Sequence, residues 1–441
     1  MGEQLGSQAD NFLHPHGEFF PRAGGRNARL PRWSLSSIGD VVSFTPSKLN
    51  ATHERMAAIY LLTETLGVAT LILAAAYTSL ALIAVLVWGR RKSTATPAQL
   101  PPVTVLKPLC GAEPGLYENL RTFCLQSYPE FQIIFGVGDH DDPALPVVAR
   151  LVAEFPHLCL DVVVNPEQHG YNRKISSLIN MLEHARHDVL VMADSDVSVR
   201  PDYLTCVTAP LLDRKVGLVT CMYHGEPTRP VWSRLGAMYI NEWYMPSVLL
   251  AWLFGHENYV SGQTLCLRRD TLVAIGGLRV IANHLADDYE LGQCVRAQGL
   301  RIVLSSYMLK AEHHEPTLES LVTHELRWMR TLSVLAPWSF RFIFFTFSLP
   351  LAGLGLVLTL PASDALIIAL PLFQVTVLAR LALHLVHRMR GRRSLLADLW
   401  LLPARDLLIC WVWCRSFFTS RFTWRGSDFL VGQDGIMRKV S

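Results

Sequence analysis

Short apolar runs alternate with amphipathic segments between residues 103 and 193. The runs lie at 103–106, 131–137, 160–164 and 189–193. Runs of this length, rich in Val, Ile and Leu and bounded by polar residues, are typical of buried strands. The segments between them carry apolar residues at helical spacing, at 116–123, 147–155 and 175–185. This β-α-β-α order predicts an α/β fold in which a parallel sheet carries helices on both faces.

The pattern after residue 196 is less regular. It predicts two further strands, at 216–223 and 259–267, with a mostly helical, aromatic-rich segment at 232–254 between them. That segment fits two roles, core packing or a path for an apolar substrate.

Three longer apolar stretches, at 68–88, 342–361 and 365–386, are each long enough to span a bilayer. Basic clusters follow the first stretch at 90–92 and the last at 388–393, and such clusters mark cytoplasmic flanks. The sequence therefore predicts one transmembrane helix at 68–88, a cytosolic domain at 103–335 and two transmembrane helices at 342–386.

The remaining segments are less apolar. Residues 395–418 contain charged side chains such as Arg405 and Asp406, which are costly inside a bilayer, so we expect interfacial or re-entrant helices there. Residues 1–55 are rich in Gly, Pro, Ser and Asn and predict a disordered extension, with organised structure beginning near Met56. Residues 419–441 are expected to form a C-terminal cytosolic tail.

Composition supports a membrane protein. Of the 441 residues, 50% are hydrophobic and 17% are charged, against about 25% charged in typical soluble domains. The net charge of +3 is too small to indicate a nucleic-acid partner. The nine cysteines include no Cys-x-x-Cys pair, which favours packing roles in a reducing compartment.

Asp194 and Asp196 directly follow the apolar run at 189–193. Ligands of open α/β sheets bind outside the carboxyl ends of strands, and Mg²⁺ often takes one or two carboxylates together with substrate phosphates. Asp194-Ser195-Asp196 is therefore a candidate site for a metal–diphosphate. Taken alone the pattern is weak, since it recurs at Asp139-His140-Asp141 and is more often a solvated turn than a catalytic site.

Further acidic residues extend this pattern. Asp139 follows the second predicted strand, and Asp287 and Asp288 open a predicted helix, where helix capping is the alternative explanation. Together these groups suit transfer from a nucleotide-diphosphate donor. One carboxylate would hold the nucleoside, a second would bind Mg²⁺ or Mn²⁺ at the leaving diphosphate, and a third would accept a proton. Lys174 and Arg327 are the candidate cations for the departing phosphates.

The ordered set of motifs resembles glycosyltransferase family 21, the ceramide glucosyltransferases, and is particularly similar to the bacterial members associated with hopanoid biosynthesis. The matching stretches are Leu106-Lys107-Pro108-Leu109, Tyr117-Glu118-Asn119-Leu120, Asp139-His140-Asp141-Asp142-Pro143, Asn172-Arg173-Lys174, Asp194-Ser195-Asp196, residues 216–220, Asp287-Asp288-Tyr289 and His324-x-x-Arg327-Trp328. They span about residues 103–331. One departure is His324, where the broader family pattern has Gln or Arg, so no donor contact is assigned to it.

The resemblance implies a GT-A-type, Rossmann-like fold, a UDP-sugar donor, a membrane-lipid acceptor and inversion at the anomeric carbon. It implies that Asp139 contacts the uridine, that Asp194 binds donor and metal, and that Asp196 binds the metal. It also implies that Asp288 is the general base. The roles implied for the remaining matched residues are donor binding by Lys174 and closure over the diphosphate by Arg327 and Trp328. The implied location is the bacterial inner membrane, with the catalytic domain on the cytosolic side.

Three functions remain open on the sequence. The first is transfer of a single sugar to a lipid, either UDP-glucose to ceramide or UDP-N-acetylglucosamine to a hopanoid such as bacteriohopanetetrol. The second is a processive polysaccharide synthase, which about three membrane spans make less suitable. The third is a non-catalytic lipid-binding or transport protein, against which the full set of acidic residues argues. The sequence indicates no particular protein partner.

Overall fold

The computed structural model describes residues 46–91, 99–256, 259–361, 364–390, 397–418, 421–424, 427–432 and 435–439. The chain divides into two compact units, residues 1–57 and 58–441. Most of the extension expected at 1–55 lies outside the described residues, but residues 46–55 are helical rather than disordered. Pro46 suits the first turn of a helix, and Leu, Ala, Glu, Arg and Met after it are strong helix formers.

The helices and strands follow in chain order. The α-helices are α1 (Pro46–Trp88), α2 (Leu116–Cys124), α3 (Ala144–Glu154), α4 (Arg173–Leu182), α5 (Tyr203–Thr208), α6 (Val231–Tyr239), α7 (Met245–Leu253), α8 (Arg269–Ala274), α9 (Asp287–Ala297), α10 (Leu318–Leu335), α11 (Pro337–Phe342), α12 (Ser348–Thr359), α13 (Leu366–Arg390) and α14 (Leu402–Ser416). The strands are β1 (Val103–Pro108), β2 (Phe131–Val137), β3 (Cys159–Val164), β4 (Val189–Ala193), β5 (Val197–Ser198), β6 (Val216–Pro227), β7 (Thr264–Arg268), β8 (Arg301–His313), β9 (Arg421–Trp424), β10 (Ser427–Val431) and β11 (Met437–Lys439). Short 3₁₀ segments lie at Ala209–Leu212, Leu278–Ile281, Ile343–Thr346 and Leu399–Leu401, and one π-helical turn joins α6 to α7 at Ile240–Tyr244.

Eight strands form the central sheet, in the order β3-β2-β1-β4-β7-β6-β8-β5. Strands β3, β2, β1 and β4 are mutually parallel, as the β-α-β-α pattern predicts. Strand β7 runs antiparallel between β4 and β6, which makes the whole sheet mixed. The predicted α/β fold, with β3, β2, β1 and β4 parallel, is confirmed.

Two apolar cores lie on opposite faces of this sheet. On β4, Val189 and Val191 join the core that includes residues of α2 and α3, whereas Leu190 and Met192 join the core that includes residues of α4 and α9. Side chains of a strand alternate between faces, so a strand buried on both sides is apolar at every position. This is why the run at 189–193 contains no polar residue until it ends at the carboxylates.

Two helices of the described chain are long and apolar enough to cross a membrane, at His53–Trp88 and Leu366–Arg388. The stretch at 342–361, predicted as one span, is not a continuous helix. Segments Pro337–Thr346 and Ser348–Thr359 meet at an angle of 69°, as a broken span or a re-entrant loop. The twelve residues of α12 extend only about 18 Å, less than the roughly 30 Å thickness of a bilayer core.

The segment at 395–418 contains one α-helix, α14, rather than the expected pair of interfacial or re-entrant helices; its residues 395–396 lie outside the described part. Buried ion pairs join α14 to its neighbours. Arg405 binds both carboxylate oxygens of Glu325 on α10, at 2.5 and 2.8 Å. Arg380 on α13 binds Asp406 at 2.9 Å and Glu242 of the π-helical turn at 2.7 Å. Arg405 and Asp406, whose charges make a simple membrane span unfavourable, thus have ion-pair partners inside the protein.

The segment expected to be a cytosolic tail at 419–441 contains a three-stranded antiparallel sheet, β9-β10-β11. Its last strand contacts the loop before α9, because Met437 N donates to Asn283 O at 2.8 Å and Leu285 N donates to Gly435 O at 3.2 Å. Phe429 of β10 packs edge-on against Tyr171, with ring centroids 5.9 Å apart. Short strands of this kind give little periodic signal, so the sequence did not predict them.

Candidate active site

The end of β4 places the first two carboxylates of the site. Five fully buried residues end at Ala193, and the half-buried Asp194 and Asp196 follow before β5. On the adjacent strand β1, the buried Lys107 donates a hydrogen bond to the main-chain oxygen of Asp194. The Lys107 ammonium also lies 3.8 Å from the centre of the Phe123 ring.

Lys107 is a site residue that sequence analysis quoted in a motif but assigned no role. Burial lowers the pKa of Lys107 to about 7, although the carboxylates of Asp194 and Asp196 oppose that shift. A lysine near the end of a largely buried strand was the available signal. Because Asp194 and Asp196 oppose the effect of burial, the charge of Lys107 depends on these two carboxylates.

Lys174 joins the two acidic segments of the site. It lies at the start of α4, where the side chain of Asn172 caps the helix by accepting from Ile175 N at 3.2 Å. Lys174 Nζ lies 2.6 Å from Asp194 Oδ1 and 4.0 Å from Asp287 Oδ2. Burial disfavours this ammonium, but the two carboxylates more than compensate and raise the pKa of Lys174.

Asp288 opens α9 beside Lys174. Its Oδ2 accepts from Gly262 N at 2.7 Å and its Oδ1 accepts from Tyr289 N at 2.7 Å. Burial, followed by the adjacent charge of Asp287, raises the pKa of Asp288 to about 6. A carboxylate with a pKa in this range is ionised at neutral pH and is basic enough to accept a proton.

Gly262 brings Asp288 and Lys174 close to the same backbone segment. Its N–H binds Asp288, and its carbonyl accepts from Lys174 Nζ at 2.9 Å. A Cβ at position 262 would lie 3.3 Å from both Asp288 Oδ2 and Lys174 Nζ. Because glycine has no side chain, both Asp288 and Lys174 can approach the backbone at residue 262.

The carboxylates of Asp194 and Asp196 suit a hard divalent cation. Asp196 Oδ1 is buried and has no hydrogen-bond partner in the described part of the chain. Burial, followed by the charge of Asp194, raises the pKa of Asp196 to about 7. A buried carboxylate oxygen without a donor, next to a second carboxylate, fits the all-oxygen preference of Mg²⁺ and Mn²⁺. Asp194 and Asp196 are the residues that could hold such an ion.

Asp139 lies in the exposed turn after β2, where its Oδ1 accepts from Asp141 N at 3.1 Å. Strands β2 and β4 both pair in parallel with β1, so this turn and Asp194 share one edge of the sheet. The structure thus places Asp139 at the predicted edge, with a local hydrogen bond. Its contact with a uridine stays a prediction.

Arg327 and Trp328 lie half-buried on α10. The Trp328 ring stacks on Tyr239 with centroids 5.3 Å apart and lies 4.2 Å from the His324 ring. These contacts join α10 to α6. The expected closure of Arg327 and Trp328 over a diphosphate stays a prediction.

Three tyrosines, buried or half-buried, form an aromatic cluster that the sequence did not single out. Tyr244 lies in the π-helical turn, with its ring 5.8 Å from Tyr223 and its hydroxyl 2.8 Å from that of Tyr259. Tyr259 is three residues from Gly262. Helix α7, which follows Tyr244, packs with the end of α1 in one apolar cluster that includes Trp88. Aromatic and apolar side chains therefore connect the acidic loop to a helix long enough to span a membrane.

Comparison with known proteins gives related sequences and structures. Ceramide glucosyltransferase 1 of Caenorhabditis elegans is 23% identical over 239 residues, which cover 54% of this chain and 51% of that protein. Ceramide glucosyltransferase of Komagataella phaffii is 30% identical over 116 residues, covering 25% of this chain and 23% of that protein. The match thus spans about half the length of the first relative and less of the second. The solved structure of mannosyltransferase PcManGT from Pyrobaculum calidifontis, in complex with GDP-Man and Mn²⁺, has a TM-score of 0.45 and 18% identity, covering 79% of this chain and 97% of that one.

The family comparison covers most of the chain. The model described as glycosyl transferase family 21 matches residues 68–437. This match includes the acidic site, residues 68–88 of α1, all of α13 and most of the C-terminal sheet. The chain belongs to glycosyl transferase family 21.

Proposed function

We propose that this protein is an inverting hexosyltransferase that moves one sugar from a UDP-sugar to a hydroxyl group of a membrane lipid. The observation that carries the proposal is Asp288, a carboxylate with a pKa of about 6 that is fixed by Gly262 N and neighbours Lys174. Inversion by a single displacement needs one base and a stabilised leaving group, and no covalent nucleophile. The residues around Asp288 match that requirement.

Asp288 takes the proton of the acceptor hydroxyl as its oxygen attacks the anomeric carbon. The bond from that carbon to the diphosphate oxygen breaks, and UDP leaves with the bonding electrons. Lys174, whose charge is maintained by Asp194 and Asp287, provides positive charge on the leaving-group side. A divalent ion held by Asp194 and Asp196 would neutralise charge on the diphosphate when bound. Asp139, Arg327 and Trp328 contribute to donor binding in this proposal.

The acceptor reaches Asp288 beside the aromatic cluster of Tyr223, Tyr244 and Tyr259. Tyr244 and Tyr259 pack against the apolar cluster that joins α7 to α1, so the lipid need not leave the membrane completely to present its hydroxyl. In this proposal the protein lies in a bacterial inner membrane, and the catalytic domain faces the cytosol, where UDP-sugars are found. The basic residues at 90–91 next to α1 support that orientation.

Two substrate pairs are tested first, UDP-glucose with ceramide and UDP-N-acetylglucosamine with bacteriohopanetetrol. The relatives named ceramide glucosyltransferases favour the first pair. The purified full chain is incubated with each labelled UDP-sugar and each lipid, and products are measured by mass spectrometry together with released UDP. We expect a glycolipid carrying one sugar of inverted configuration, and Asp288→Asn provides the inactive control.

Other products would contradict the proposal. A long polymer would identify a processive synthase, and absence of both UDP release and glycolipid with every pair would favour a lipid-binding or transport protein. Removal of divalent ions with EDTA should abolish transfer, and separate re-addition of Mg²⁺ and Mn²⁺ measures which ion restores it.

A further inference from the structure

A second group of metal-ligand side chains lies where β8 meets α10. His313 ends β8, Glu315 follows two residues later, and His324 lies on the second turn of α10. One ligand atom from each residue lies within 4.8 Å of the other two. Glu315 Oε1 is 2.7 Å from His324 Nδ1 and 3.7 Å from His313 Nε2. Within the described residues, no other group of three His, Cys, Asp or Glu ligands has this arrangement.

His313 provides the observation that points to a ligand. Its side chain is 7% exposed, and its Nε2 faces Glu315 without a hydrogen-bond partner in the part of the chain that the structure describes. Buried ring nitrogens in proteins are normally paired. A neutral imidazole nitrogen is the form that binds a metal.

The surrounding side chains hold the three ligands in place. Ser320 donates to Glu315 Oε2, which leaves Oε1 directed at the two histidines. The His324 ring lies 4.2 Å from the Trp328 ring, and the His313 ring stacks on that of His324 at 5.6 Å. A Cβ at Gly236 of α6 would lie 2.0 Å from His313 Nε2. Glycine at position 236 of α6 thus leaves room for the ring of His313.

We propose that His313, Glu315 and His324 bind one Zn²⁺ ion, at a site separate from the carboxylates of Asp194 and Asp196. Two imidazole nitrogens and one carboxylate oxygen are a ligand set typical of zinc, whereas two carboxylates suit Mg²⁺ or Mn²⁺. Tetrahedral zinc with metal–nitrogen distances of about 2.0 Å separates its ligand atoms by about 3.3 Å. The distances of 2.7 and 3.7 Å lie on either side of that value, so small side-chain rotations complete the site.

The ion joins the end of β8 to the helix that carries Arg327 and Trp328. Because His324 and Trp328 are one helical turn apart and their rings touch, fixing His324 also fixes Trp328. His313, Glu315 and His324 are therefore positioning residues, which set the orientation of α10 without contacting substrate. Three protein ligands leave a fourth coordination position for water.

Zinc content is measured on the full chain carrying Asp194→Asn and Asp196→Asn, so that the other candidate metal site is removed. After EDTA treatment, the protein is dialysed against limiting Zn²⁺ and its bound metal is determined by elemental analysis. We expect one Zn²⁺ per chain. Adding Glu315→Gln or His324→Phe should weaken binding more than tenfold, whereas the matched control His314→Ala, at the exposed neighbouring histidine, should leave it unchanged.

Two further measurements keep the proposal testable if a variant fails to fold. Gly236→Ala should also lower zinc affinity, because the added methyl group displaces His313. X-ray absorption of the zinc-loaded chain with only the two Asp→Asn changes should show two imidazole nitrogens near 2.0 Å. A shell of oxygen ligands alone, less than one tenth of an ion per chain, or equal zinc binding in the Glu315→Gln and His314→Ala variants would overturn the proposal in favour of a metal-free hydrogen-bonded triad.

Discussion

Lys174 Nζ lies 2.6 Å from Asp194 Oδ1, so α4 holds a cation directly against the carboxylate that follows β4. The sequence placed these two residues on different elements, 20 positions apart. Their contact means that Asp194 is paired with a cation before any substrate binds. It also joins that segment to Asp287, which Lys174 Nζ approaches to 4.0 Å.

Lys174→Gln should therefore lower kcat/KM by about tenfold or more, because Asp194 and Asp287 lose their shared cation. Lys174→Arg keeps the charge and should retain more activity. Steady-state kinetics with varied donor measures both variants, and Lys215→Gln, at an exposed lysine, is the control. Unchanged kcat/KM in Lys174→Gln would show that Lys174 does not act in donor binding.

Asp288→Asn should lower kcat by about 10²–10⁴-fold, because the amide cannot accept the acceptor proton. Donor affinity should change little, since the amide has the size of the carboxylate and its oxygen keeps one of the two contacts with Gly262 N and Tyr289 N. Glycolipid formation and UDP-sugar binding are measured on the same preparation. Glu290→Gln, in the same first turn of α9, should retain activity; a similar loss in both variants would indicate a helix effect rather than loss of the base.

The pH dependence follows from the pKa of Asp288, which is raised to about 6. The base acts only when ionised, so kcat/KM should be half-maximal near pH 6, level off about one pH unit above it and fall about tenfold per pH unit below it. A pH–rate profile of the wild type measures this. The residual activity of Asp288→Asn should not show this fall in kcat/KM at low pH. If the variant showed the same fall with the same midpoint, the titrating group would be a residue other than Asp288.

Gly262→Ala should lower kcat while the protein stays folded. The new methyl carbon would lie 3.3 Å from both Asp288 Oδ2 and Lys174 Nζ, so each charged group must move by a few tenths of an ångström. Displacements of this size at reacting groups are costly in rate. Activity and thermal unfolding are measured together, and a large fall in Tm with normal kcat in the remaining folded protein would contradict the prediction.

The buried pair of Arg405 and Glu325 should contribute strongly to stability only while both partners are present. Glu325→Leu leaves Arg405 buried without its bidentate partner and should destabilise the protein by about 3–5 kcal/mol. The double variant Glu325→Leu with Arg405→Met should recover most of that loss. Unfolding in detergent measures the cycle, with Asp213→Asn, at an exposed pair, as the surface control. Additive losses in the double variant would show that the pair is not coupled.

The parallel half of the sheet and the position of Asp194 were predictable because local periodicity determines them. Val189 to Ala193 had to be a strand, and its carboxyl end had to carry the two carboxylates. The insertion of β7 between β4 and β6 was not predictable, because it depends on pairing of Thr264 with Ala193 across a long stretch of chain. The importance of Gly262 follows from that pairing, which places the loop before β7 beside Asp288.

Other features depended on contacts that no local pattern encodes. The break at Phe347 lies in an apolar run of spanning length, where Ser348 and Pro350 at the start of α12 give only a weak local signal. Arg405 and Asp406 looked like obstacles to burial, and only their partners on α10 and α13 explain why both are buried. The cluster of His313 and His324 was also not predictable from the sequence, because the two histidines belong to different elements.

Arg380 has a practical consequence for work on the isolated catalytic domain. A fragment that stops before α13 would contain the whole eight-stranded sheet. It would nevertheless lack Arg380, which lies 2.7 Å from Glu242 of the π-helical turn. The same cut would remove Arg405 and leave Glu325 as a second uncompensated buried carboxylate. Soluble expression of residues 103–335 should therefore give a poorly folded product, and useful fragment boundaries must lie beyond α14.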